Sequence, residues 1–178
     1  MGTSFEDAFR DEFPALHRYL RRRVGASAAD DLTAATFAVA FSCWSSFDHS
    51  RPLRPWLYGI AANVVHRHWR DERRKLRAYA RTGVDPVATE DDLERAHVTS
   101  RERELAAALA TLRPRDREIL LLHAWAELSD SEIAEALGLP IGTVKSRLHR
   151  TRDRLRNRLG ESGQEATTTM LATAKEHR

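Results

Sequence analysis

The chain has 178 residues, 42% of them apolar and 31% charged, with 29 Lys and Arg against 26 Asp and Glu; this balance fits one domain or two small ones folding in water. No apolar run reaches the ~18 residues of a membrane span, and Glu6, Asp7, Asp11 and Glu12 stand where a secretory signal needs an apolar core. Membrane insertion and export are therefore not expected, and a cytoplasmic location is. The pI near 9.4 comes from two places: residues 51–84 carry 9 basic and 2 acidic side chains and 113–158 carry 10 and 7, while 85–112 carry 3 and 7. Two basic blocks separated by an acidic stretch are the footprint of a polyanion binder.

Taken in chain order, Phe5, Phe9, Phe13, Leu16 and Leu20 recur at spacings of three and four and predict an amphipathic helix that Pro14 bends or divides. Val24-Gly25-Ala26-Ser27 reads as a stop followed by a cap, and 30–44 resumes helical spacing through Leu32, Phe37, Ala40, Phe41 and Trp44. Cys43 lies in that pattern and reads as a small core residue, since one cysteine forms neither an intramolecular disulfide nor a multi-cysteine zinc site. Trp44 also reads as core, and Phe41 as core or as an outward contact. Residues 45–52 are turn-like, and after Pro55 a third helix runs from Trp56 into the cationic series Arg67, Arg70, Arg73, Arg74 and Lys75. Trp56 and Tyr58, beside Leu57 and Ile60, fit packed positions better than stacking platforms. Asn63, between Ala62 and Val64, is either a local hydrogen-bonding device or a base reader.

Residues 82–100, acidic and containing Gly83 and Pro86, are expected to form a flexible linker. Leu105, Leu109 and Leu112 then form a stripe, and Pro114 opens a further helix through Ile119, Leu120 and His123. Ser129 with Glu132 is a capping box for a short helix burying Ile133, Ala134 and Leu137; Gly138 ends it and Pro140 begins the next in its first turn. That order is a helix-turn-helix. On the second helix Val144, Leu148 and Leu155 share one face, and Gly142, Ser146, His149 and Arg150 lie opposite, flanked by Thr143, Lys145 and Arg147. Such a surface is suited to a major groove, and the 7 basic residues from Lys145 to Arg158 are suited to a phosphate backbone. The expected fold is all-α: two small helical domains over 1–81 and 101–159, joined by the linker and followed by a loosely ordered extension over 160–178.

These phrases together resemble the extracytoplasmic-function (ECF) group of bacterial sigma factors, in the sigma-70 family. Glu132-Ile133-Ala134 and Gly142-Thr143-Val144-Lys145-Ser146-Arg147-Leu148 are similar to the family's promoter-reading helix-turn-helix. Asp30-Asp31-Leu32-Thr33 through Phe37 resembles its polymerase-docking helix, and Trp56 through Asn63 resembles the segment that melts and captures the downstream promoter element. The resemblance implies an alternative sigma factor that binds core RNA polymerase through Asp30, Asp31, Leu32 and Phe37. It implies contacts to the downstream element from Trp56, Asn63, Arg67, Arg70, Arg73 and Arg74, and to the upstream element from Thr143, Lys145, Ser146, Arg147, His149 and Arg150. The partners it implies are core polymerase, double-stranded and melted promoter DNA, and an anti-sigma factor. The sequence departs from the family at Ala34-Ala35, where many members carry Gln-Glu, and at Gly59, where a basic residue is common.

Two other classes compete with this reading. One is a helix-turn-helix regulator acting at an operator without being a polymerase subunit; Asp30-Asp31 and the cationic Trp56–Lys75 helix argue against it. The other is a nucleic-acid-modifying enzyme. The chain contains no GxGxxG, P-loop, HExxH or GxSxG, and its 8 histidines show no paired ligand spacing, so no catalysis, metal or cofactor is expected.

Overall fold

Helix α1, Phe5–Val24, starts where the Ser4 hydroxyl accepts from the Asp7 amide at 3.1 Å, with Glu6 and Asp7 in its first turn and Arg21, Arg22 and Arg23 in its last. Charges of these signs at these ends oppose the helix dipole. The computed structural model describes the backbone of residues 4–82 and 100–172 and the side chains of 4–77 and 103–160. Pro14 lies inside α1 without dividing it. Both Pro14 and Arg10 are exposed, so the hydrogen bond that proline cannot donate is lost on the solvent side of the helix and not in the core. Gly25, at φ 88°, ends α1 and begins α2, Ala26–Ser42. The break is thus one residue long, and Ser27 sits inside α2 instead of capping it.

A short 3-10 turn, Trp44–Ser46, leads to α3, Leu53–Thr82. The three helices pack pairwise. Leu16, Tyr19 and Leu20 of α1, Phe37 and Ala40 of α2, and Leu57, Tyr58, Ala61 and Val65 of α3 form the core. Thr33 and Thr36 are buried at no hydrogen-bonding cost, because their hydroxyls donate to the Ala29 and Leu32 carbonyls, each at 2.7 Å. None of residues 66–77 is buried; α3 runs on past the core that holds its first half. Cys43 is exposed, contrary to its sequence reading. It is the C-cap of α2, at φ −103° and ψ 2°, so the helical spacing that pointed it inward has already ended.

Residues 1–97 form one compact unit and 98–178 a second. The second contains α4 (Ser100–Ala110), α5 (Pro114–Trp125), α6 (Asp130–Leu137) and α7 (Ile141–Ala172), and α4, α5 and α6 all pack against α7. Ile119, Leu120, Leu121 and Leu122 are all buried, so α5 is covered on several sides at once. At the start of α6 the Ser129 hydroxyl accepts from the Glu132 amide, and the Ser129 amide donates to the Glu132 carboxylate at 2.8 Å. At its end Gly138 is left-handed, and the Gly138 and Leu139 amides donate to the Glu135 and Ala134 carbonyls, a Schellman closure. The Pro140 carbonyl accepts from Thr143 and Val144, so Pro140 caps α7 from just outside and does not occupy its first turn. Helix α7 breaks at Gly160, φ 64° and ψ −158°. The backbone of the extension beyond it is helical to Ala172, while 173–178 and the linker positions 83–99 lie outside the described residues.

Two left-handed positions flank α6 and respond oppositely to substitution. Glu127 sits at φ 56° with a Cβ that disfavours this region, and Glu127→Gly is expected to raise stability by about 0.5–1 kcal/mol. Gly138→Ala meets no atom within 4 Å, so its cost is conformational alone, about 1–2 kcal/mol of destabilisation. Thermal unfolding of the two variants checks both signs.

Candidate nucleic-acid interface

In the second unit α7 buries Val144, Leu148, Thr151 and Leu155, at spacings of four, three and four. That stripe leaves Lys145, Ser146, His149 and Arg150 on the outside, where they are exposed and line one shallow depression. Several of these side chains are steadied from within the helix. Arg150 Nε donates to the Ser146 carbonyl at 3.2 Å, and the Ser146 hydroxyl donates to the Thr143 carbonyl at 3.1 Å. His149 Nδ1 lies 2.8 Å from Asp153, whose other oxygen accepts from Arg156 at 2.8 Å, leaving Nε2 as the histidine's outward polar atom. Thr143 is half-buried at the edge of this face.

Arg147 differs from its sequence reading. It follows Val144 by three residues and precedes Thr151 by four, so it flanks the buried stripe, and its Nη1 donates to Asp116 Oδ1 of α5 at 3.1 Å. It is tied inward and is not part of the outward face. Asp116, 7% exposed, is a functional candidate that the sequence reading missed. Its only sequence signal is an acid in the first turn of the helix that Pro114 opens, which by itself means no more than a favourable helix terminus.

In the first unit Trp56, Asn63, Arg67, Arg70 and Arg74 recur at spacings of seven, four, three and four and so share one side of α3; Arg73 is off that line, its Nε donating to the Trp69 carbonyl at 3.2 Å. Asn63 and the four arginines are exposed. Trp56 is half-buried, its ring 4.5 Å from Phe47 and 6.1 Å from Trp44 between centroids. Tyr58 is fully buried, and burial pushes its hydroxyl up to about 12; it belongs to the core, as its neighbours suggested. Gly59 is also buried, so this departure from the family pattern falls inside the bundle.

The four residues of the docking phrase are divided by the structure. Asp31 is exposed, Asp30 is exposed and 2.7 Å from His17 Nε2, and Leu32 is half-buried. Phe37 is buried, its ring 4.6 Å from that of Phe9. It lies on the inner stripe of α2 with Thr33, Thr36 and Ala40 and is unavailable to a partner, which corrects its expected place on the docking surface. Phe41, by contrast, is 66% exposed at the outer end of α2. Trp44 is half-buried against Phe5 and Phe47.

Among the described residues no group of three His, Cys, Asp or Glu side chains is placed to hold a metal ion, and no helix is long and apolar enough to cross a membrane. Residues 8–75 match the family model of sigma-70 region 2, and residues 102–155 match that of sigma-70 region 4. The RNA polymerase sigma-E factor of Streptomyces coelicolor is 33% identical over 156 residues, covering 87% of this chain and 85% of that protein. The ECF RNA polymerase sigma factor SigC of Mycobacterium tuberculosis is 33% identical over 154 residues, covering 86% and 82%. A solved structure of the sigma factor RpoE from Bartonella quintana, in complex with the anti-sigma factor NepR, is similar with a TM-score of 0.65 at 26% identity, over 87% of this chain and 96% of that one.

The chain belongs to the sigma-70 family of RNA polymerase sigma factors, in the ECF group. It is accordingly an alternative sigma factor, a subunit that binds core polymerase, recognises promoter DNA and directs transcription initiation. An operator-binding regulator would carry the second family match without the first. The relatives are sigma factors, which are not catalytic enzymes.

One titratable group lies behind α7. His123 of α5 is half-buried, with Nδ1 3.2 Å from the Leu128 carbonyl; burial and then the Arg152 charge hold its pKa below the ordinary 6.5. The folded ring stays neutral where the unfolded one is protonated, so its contribution is full above 6.5 and is lost as pH falls toward the folded value. Thermal melts at about pH 5.5 and about pH 7.5 are expected to differ more in the native chain than in His123→Gln.

Proposed function

We propose a division of labour between the two units. The first, within 1–81, docks on core polymerase through the Asp31 side of α2 and opens and holds the downstream element along α3 with Asn63, Arg67, Arg70 and Arg74. The second, within 101–159, reads the upstream element in double-stranded form with Lys145, Ser146, His149 and Arg150. The stretch 82–100 connects them. Supporting this is the placement of those four side chains on one exposed face of α7, opposite Val144, Leu148 and Leu155. Lys and Arg pair with guanine edges, and Ser and His donate or accept at base edges or phosphates.

Along α3, cations at regular spacing track a strand while the Asn63 amide meets an unstacked base. Trp56, partly covered by Phe47 and Trp44, offers a ring edge and not a full face. No step in this reading is catalytic, and its place is the cytoplasm, with the polymerase. An anti-sigma factor is the expected antagonist; NepR stands in that relation to the Bartonella quintana protein.

Promoter-library titrations of holoenzyme at two salt concentrations test the reading face. Arg150→Ala is expected to cost about 1–3 kcal/mol at one upstream position and relax the preference there. Arg154→Ala, further along α7, is expected to weaken binding to all sequences alike and lower the salt slope by roughly one unit. Uniform loss in Arg150→Ala would make that residue a phosphate anchor. In the first unit, Asp31→Arg is expected to weaken association with core polymerase while leaving the helical circular dichroism unchanged; unaltered core affinity would remove this face of α2 from the interface.

A further inference from the structure

Asp116 is an acid set among arginines of the second basic block. It occupies the first turn of α5, is 7% exposed, and shares a small pocket with Arg113, Arg147, Arg150 and Arg154. A carboxylate this deep needs cationic partners. One oxygen accepts from Arg147 Nη1 at 3.1 Å, and the other lies 3.9 Å from Arg154 Nη1. Arg147 and Arg154 are seven residues apart and therefore sit on one side of α7, two turns from each other. A single carboxylate between them resists both rotation of α7 about its axis and sliding along it. Arg150, between the two in sequence, donates no hydrogen bond to Asp116; its Nε donates to the Ser146 carbonyl, and the residue is exposed.

We propose that Asp116 is a positioning residue for promoter recognition: by holding Arg147 against α5 it sets the angle at which α7 presents Lys145, Ser146, His149 and Arg150, and it withholds that cation from indiscriminate phosphate contact, while the more exposed Arg154 stays available to phosphate. The inference rests on α7 being the upstream reading helix. Its consequence is a trade. With the acid present, the helix is less attractive to DNA in general and more selective for one sequence; without it, the Arg147 guanidinium is released beside the reading face and the helix is less firmly oriented.

Asp116→Asn keeps the size and an acceptor but removes the charge. In the full chain assembled with core polymerase, and titrated on duplexes with a randomised upstream element at two salt concentrations, this variant is expected to bind non-cognate sequences more tightly than the native chain. Its salt slope is expected to steepen by about one unit and its preference for the cognate element to fall roughly tenfold. Arg147→Lys, which keeps the charge but loses the fork, is expected to lower the preference with the slope unchanged, and serves if the first variant does not fold. A purely structural Asp116 would give weaker binding to every sequence with preference and slope intact, which would overturn the proposal. A native holoenzyme with no upstream preference would overturn the reading of α7 and the proposal together; a native preference left intact by both variants would overturn the proposal alone.

Discussion

The buried stripe of α7 is the constraint on which the second unit depends. Val144, Leu148, Thr151 and Leu155 are placed among α4, α5 and α6, and burying each of the aliphatic three, Val144, Leu148 and Leu155, contributes about 1.5–3 kcal/mol. Rotating α7 to present another face would expose that stripe and bury charge. The outward set is therefore a by-product of packing: once the stripe is inside, Lys145, Ser146, His149 and Arg150 have no other place to be. The Ser129 box and the Gly138 closure act one step earlier, by fixing where α6 starts and stops and hence where α7 begins.

Formal charge is a poor guide to what such a surface offers DNA. Of the cations between Lys145 and Arg158, Arg147 lies against Asp116 and Arg156 against Asp153, with Arg154 close to Asp116 as well. Two acids thus reshape the field of the whole segment. Ion pairs at exposed positions contribute little stability, so the pair on Asp153 matters for where charge is displayed more than for holding the fold. Asp116 is different because its carboxylate is out of water, where an unpaired charge is costly.

The first unit solves a different problem with one long helix. The first half of α3 packs on α1 and α2, and its second half carries exposed arginines past the core. Anchoring and presentation are separated along a single rigid element, so Arg67, Arg70 and Arg74 are oriented by Leu57, Tyr58, Ala61 and Val65 without packing of their own. The aromatic group of Phe5, Trp44, Phe47 and Trp56 links the start of α1, the 3-10 turn and the start of α3, and so holds the end of α3 from which the cationic face is counted.

Much of this was legible in the residues alone, because the information is local. Helical spacing, the Ser129–Glu132 box, Gly138 and the exposed face opposite Val144 and Leu148 depend on neighbours within a few positions, and helix geometry converts them directly into surfaces. What the residues could not settle alone was which member of an ambiguous pattern faces inward and what crosses to meet it. Phe37 and Phe41 both follow the spacing of α2, yet Phe37 is buried against Phe9 and Phe41 is in solvent. Cys43 follows it too, but the helix has ended there. Arg147 looked like its neighbours until Asp116, 31 residues away in sequence, was seen to hold it. Periodicity determines faces; only the packing of one helix on another decides which side chain on the border of a face is core, partner or free, since that depends on atoms the local chain does not contain.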